Sequence, residues 1–133
     1  MKNFEVIINT IISFCTYLLG GIDSLFISLL IVISIDYITG ILKAIYQKNL
    51  NSSVGIKGIL KKIGYILIVI LATVIDRIIN ESSMAIRTLV IYFIISNEGI
   101  SILENWGAIG LPLPQKLRQV LEKLNDKDEE KID

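Results

Sequence analysis

The residues of this chain whose chemistry stands out are carboxylates set in apolar surroundings. Asp36 follows Ile31-Val32-Ile33-Ser34-Ile35, and Glu98 follows Ile94-Ile95-Ser96-Asn97. On a membrane helix, an acidic side chain near the centre costs up to about 2.5–3.5 kcal/mol. Such a group is expected to be paired, uncharged or facing water. Other chemistry is excluded by count. With no His and one Cys, there is no disulfide framework, no Cys/His zinc site and no Ser-His-Asp triad. Glycines in Ser52-Ser53-Val54-Gly55-Ile56-Lys57-Gly58 are too sparse to cradle a phosphate, and no Walker pattern is present. No convergent acid, base or nucleophile set is visible. The chain reads as a non-enzyme without cofactor, metal or nucleic-acid partner.

The elements that carry these groups are four apolar segments, Phe4–Leu19, Ser24–Tyr46, Ile59–Ile79 and Met84–Leu103, joined by short polar breaks. The chain is 53% hydrophobic over 133 residues, with mean hydropathy +0.65. That is too apolar for an ordinary soluble domain. A soluble bundle needs a charged outer face, yet from Ile22 to Tyr46 the only charges are Asp23, Asp36 and Lys43. At 1.5 Å per residue, about 20 residues cross a hydrocarbon core of roughly 30 Å. The expected fold is all-α: an integral membrane protein with four transmembrane helices in residues 1–110. A short amphipathic helix and a charged cytoplasmic tail follow in residues 111–133.

The first segment is the least regular. Glu5, Asn9, Ser13, Thr16 and Gly20 share an arc of about 80°. A span with a polar stripe and an interfacial helix both fit; a span is the preferred reading. A cleaved signal lacks a small-x-small site after it. Leu111-Pro112-Leu113-Pro114 ends the fourth helix. Leu117, Val120, Leu121 and Leu124 then share one helical face.

Lys43, Lys48, Lys57, Lys61 and Lys62 lie in the second connection with no acid among them. By the positive-inside rule this loop is cytoplasmic and touches an anionic inner leaflet. Its serines are candidates to cap the third helix. The C-terminus is then cytoplasmic, as is the N-terminus if the first segment spans. Gly40, one turn from Asp36, would let another backbone approach. Asn97, Glu98, Ser101, Glu104 and Asn105 fall within about 120° of helical arc, a stripe that has to face protein or water. It reads either as a hydrogen-bonded seam between helices or subunits or as a water-lined face. Asn97 and Ser101, or Asn9, Ser13 and Thr16 of the first segment, are the candidate partners of Glu98. Trp106 marks a membrane interface.

Three stretches resemble the clostridial toxin-secretion and phage-lysis holin family. They are Asp36-Tyr37-Ile38-Thr39-Gly40 with Lys43-Ala44; Ser53 and Gly55 through Gly58 to Lys61-Lys62; and Asn97-Glu98-Gly99-Ile100-Ser101-Ile102-Leu103-Glu104-Asn105 with Gly110, Pro112, Pro114 and Leu117. The resemblance covers nearly all the chain after Gly21. It implies a homo-oligomer that opens lesions in the bacterial cell membrane and releases an endolysin or a toxin, with an antiholin as a further partner. An antiholin-type regulator would need the same helices. A small proton-coupled multidrug exporter also has four short helices, but its coupling carboxylate lies midway along the first. Here Glu5 stands at the start of that segment.

Overall fold

The computed structural model describes residues 1–120 and Lys123. Four long helices follow in order: α1 (Lys2–Leu19), α2 (Ser24–Tyr46), α3 (Ser52–Ile79) and α4 (Ala85–Ala108). Among the described residues there is no strand. A short helix at 115–120 follows Pro114. Leu121 and Leu124, expected on its apolar face, lie outside the described residues, as does the charged tail.

Helix boundaries follow local chemistry. Asp23 caps α2, its Oδ1 accepting from the Phe26 N–H at 2.9 Å. Asn51 caps α3 in the same way, accepting from Val54 N–H at 3.0 Å. The third helix therefore starts at Ser52, not near Ile59, and the Ser52–Gly58 stretch forms its first turns rather than a loop. The cap is Asn51, not a serine. The fourth helix runs on to Ala108, beyond the expected end at Leu103, and stops only as Pro112 approaches. Gly20 ends α1 in the left-handed conformation, φ 75°.

Three helices, α2, α3 and α4, are long and apolar enough to cross a membrane. The count of four spans is corrected to three by this measure. The physical reason is composition: Lys2, Asn3, Glu5 and Asn9 fall within the 18 residues of α1. No α1 residue is buried. Only its last turns touch the bundle, where the Arg77 guanidinium stacks 3.8 Å from the centre of the Tyr17 ring and donates to the Tyr17 carbonyl.

The bundle is built on α4. Helices α2 and α4 run parallel and pack most closely, α3 runs antiparallel against α4, and α2 barely touches α3. Inward positions recur at three- and four-residue steps, as helix packing requires: Phe26, Leu29, Ile33 and Asp36 on α2, and Arg87, Ile91, Ile94, Glu98 and Asn105 on α4. Val69, Ala72, Thr73 and Asp76 continue the pattern on α3. Phe26, Leu29, Ile33, Val69, Ile91 and Ile94 make the dry core. Ionisable residues lie at both ends of that core. The outward faces carry Ile27, Leu30, Ile31, Ile35, Ile38 and Leu42 on α2 alone, the inverse of a soluble bundle.

Candidate functional site

One polar layer closes the core toward the lysine-bearing ends of the helices. Asp36, Lys62 and Glu98 each lie about ten residues, or ~15 Å, from the helix end nearest them. The Lys62 ammonium bridges both carboxylates, donating to Asp36 Oδ2 and Glu98 Oε2. The Glu98 side chain is fully buried. Its Oε1 accepts from the Tyr65 hydroxyl at 2.7 Å and pairs with Lys61 Nζ at 3.1 Å. Buried and unpaired, either carboxylate would be severely destabilising; bridged by Lys62, with Lys61 also on Glu98, their two charges face two ammonium groups. Asn105 extends the layer, its Nδ2 donating to Thr39 Oγ1 at 3.1 Å. Among the described residues, every buried side-chain polar atom has a partner.

This arrangement corrects several expectations. Glu98 pairs with α3, not with Asn97, Ser101, Asn9, Ser13 or Thr16. Asn9 and Ser13 are exposed on α1, and the Thr16 hydroxyl bonds back to Ile12 O at 2.8 Å. The α4 stripe divides: Glu98 and Asn105 are buried, Ser101 is half-buried, and Asn97 and Glu104 are exposed. Lys61 and Lys62 are not loop residues at the membrane surface; they sit on α3, and Lys62 points inward. Lys43, Lys48 and Lys57 stay outside the triad. A Cβ on Gly40 would meet the Asn105 amide at 3.7 Å, an ordinary contact within the chain. Trp106 is partly exposed, and its Nε1 donates to Pro112 O at 3.3 Å.

A second ionic layer, which the sequence reading missed, closes the opposite end. Arg87 is 1% exposed. It donates to Leu19 O at 2.6 Å, Gly21 O at 2.9 Å and Asp23 Oδ2 at 2.8 Å. Asp76 caps the start of α4, accepting from the Ile86 and Arg87 N–H groups at 3.0 and 2.8 Å. The hydrogen bond from Arg87 holds the Asp23 carboxyl below the usual carboxylate range, against its own desolvation. The available signal was spacing: Arg87 lies on the seam of Ile91, Ile94 and Glu98.

Beside the triad lies a cavity of about 360 Å³. It extends from Gln47 and Asn49 at the helix ends down to Asp36 and Lys62. No group of His, Cys, Asp and Glu among the described residues is suited to a metal ion.

The model of the bacteriophage holin family matches residues 13–126. The chain belongs to the bacteriophage holin family. This holin-family chain is 37% identical over 121 residues to a probable holin of Bacillus phage phi105, covering 88% of this chain and 87% of the relative. It is 48% identical over 113 residues to a 14.9 kDa protein in the nagH 3' region of Clostridium perfringens, covering 84% and 85%. It is 39% identical over 120 residues to the Lmo0128 protein of Listeria monocytogenes, covering 88% and 85%. No solved structure matches it. Family and three apolar helices together make this holin-family chain a multi-pass membrane protein. The triad and the Arg87 layer give it two internal polar strata inside an apolar exterior.

Proposed function

We propose that the chain is a holin: it assembles with copies of itself in the bacterial cytoplasmic membrane and opens lesions that release an endolysin or a large toxin. Family membership over residues 13–126 carries the reading. The structure supports it by leaving Asn97 and Glu104 exposed two turns apart on one face of α4. Polar groups on a lipid-facing surface favour contact with protein or water, so this face is the seam between subunits. Asp36, Glu98 and Asn105 act inside each subunit, holding α2, α3 and α4 together until the lesion opens.

The lysine-bearing ends face the cytoplasm in this reading, with Lys43, Lys48 and Lys57 toward the anionic inner leaflet. Three spans then place α1 on the outer side and the C-terminus inside.

Timed expression in a bacterium tests the proposal. Growth should stop and the membrane potential collapse after a delay. Cysteine at position 97 in a Cys15→Ser background should crosslink subunits into dimers. A monomer that leaves the potential intact would sink the holin reading and favour an antiholin-type regulator. A rise in resistance to cationic drugs would favour an exporter.

A further inference from the structure

The cavity beside the triad and the gap between α2 and α3 adjoin. The cavity has a mixed lining that includes Lys43, Lys61 and Lys62. The gap is an apolar groove of about 530 Å³, lined by Leu30, Ile33, Ile38, Ile59, Ile63 and Ile66, among others. Tyr37 and Lys62 line both. Glycine makes the junction: a Cβ on Gly58 would meet the Tyr37 ring at 3.2 Å, and one on Gly55 would lie 3.7 Å from the Tyr37 hydroxyl. The two spaces thus form one amphiphilic slot, with a basic chamber at the helix ends and an oily channel running into the membrane.

Charge decides what fits. Lys62 is spent on Asp36 and Glu98, whereas Lys61 pairs with Glu98 but keeps half of its side chain exposed. Lys43 is half-buried in the chamber wall and has no ion pair among the described residues. A chamber with one uncompensated ammonium and a second half-exposed one calls for an anion. The groove beside it carries almost no polar surface and calls for hydrocarbon. A chamber of this size lies within the range that holds small ligands, and basic pockets between membrane helices recognise anionic headgroups.

We infer that the slot binds one anionic phospholipid, its headgroup phosphate against Lys43 and Lys61 and one acyl chain along the α2–α3 groove. The bound lipid wedges between the two helices that otherwise barely touch. It therefore couples the Asp36–Lys62–Glu98 layer to the composition of the leaflet.

The full chain, purified and placed in nanodiscs of phosphatidylglycerol and phosphatidylcholine with identical acyl chains, provides the test. Native mass spectrometry should find one retained phosphatidylglycerol per protomer, in preference to phosphatidylcholine. Lys43→Gln should weaken retention about fivefold, and Lys43→Arg should keep it. Ser34→Trp, which fills the groove, should abolish retention with helical content unchanged by circular dichroism. Equal retention of both lipids, or wild-type behaviour from Lys43→Gln, would overturn the inference. Displacement by excess inorganic phosphate, with Ser34→Trp still binding, would replace the lipid site with a free-anion site. Loss of dimers in Lys43→Gln and in Ser34→Trp, without any lipid preference, would instead assign the slot to a second copy. The measurement needs no lesion, so it succeeds or fails independently of the lytic reading.

Discussion

Lys62→Met removes the one cation that holds two buried carboxylates. The Lys62 side chain is 14% exposed, that of Asp36 10%, and that of Glu98 0%. Removing one partner of a buried pair costs about 3–5 kcal/mol, because the stranded charge has lost its solvation. Here Glu98 keeps Lys61, but that lysine side chain is 50% exposed, so the surviving pair is weakened by solvent. Asp36 keeps no cation. The expected loss is thus the full range, about 3–5 kcal/mol. Glu98→Gln leaves Lys62 on Asp36 and should cost less, about 1–3 kcal/mol. The triple variant Asp36→Asn, Glu98→Gln, Lys62→Met removes the three triad charges while keeping shape and leaves Lys61 half-exposed to solvent. It should lie close to wild type or above it. Titration with a denaturing detergent, read by circular dichroism on the reconstituted protein, ranks the three. Lysis timing at matched membrane levels should follow the same order, with Lys62→Met opening earliest or failing to accumulate. A Lys62→Met protein within about 1 kcal/mol of wild type would refute the reasoning, as would a triple variant no better than the single one.

Arg87→Gln should strand the carbonyls of Leu19 and Gly21 at about 1–3 kcal/mol each and free α1, read as faster proteolysis at Gly20-Gly21. The Asp23 carboxyl, held low by Arg87, contributes its stabilisation in full above the unfolded value of about 3.9. It loses that contribution as pH falls through the lower folded value. A fluorophore on the exposed Cys15 should therefore report an attached α1 from neutral pH down to about 4, whereas Asp23→Asn should loosen it throughout. In a Cys15→Ser background, cysteine at Asn3 should react with an impermeant thiol reagent in intact cells. Cysteine at Ser52 should be protected; protection at both positions would mean that α1 crosses the membrane.

Much of this architecture is written locally. The charge-poor run from Ser24 to Tyr46 names a membrane helix without tertiary information, and the Asn97–Asn105 stretch names the polar face of α4. The pairing of Glu98 was not legible, because it depends on how α3 is rotated against α4. The obstacle was one boundary. Reading Ser52–Gly58 as a loop made Lys61 and Lys62 equivalent surface lysines. Starting the helix at Ser52, capped by Asn51, sets Lys62, Tyr65, Val69, Ala72 and Asp76 at three- and four-residue steps, and one of the two adjacent lysines must then face inward. The first segment misled for a different reason. Its length suits a span, but Lys2, Asn3, Glu5 and Asn9 in its first half outweigh that length.

The spacing of the two ionic layers has an electrical consequence. On α4, Arg87 and Glu98 are about eleven residues apart, or ~16 Å along the axis, roughly half of the ~30 Å hydrocarbon thickness. Where water enters the cavity at the lysine-bearing ends, the aqueous potential reaches toward Asp36 and Lys62. Most of the transmembrane voltage then falls across the Leu29, Ile33, Val69, Ile91 and Ile94 layer, a thin insulator under a steep field. A unit charge carried across that layer exchanges about 2.3 kcal/mol per 100 mV, comparable with the loss of one partner from the triad. If the chain opens as proposed, a charge displaced across this layer would exchange with the membrane voltage an energy of the same order as a lost triad partner.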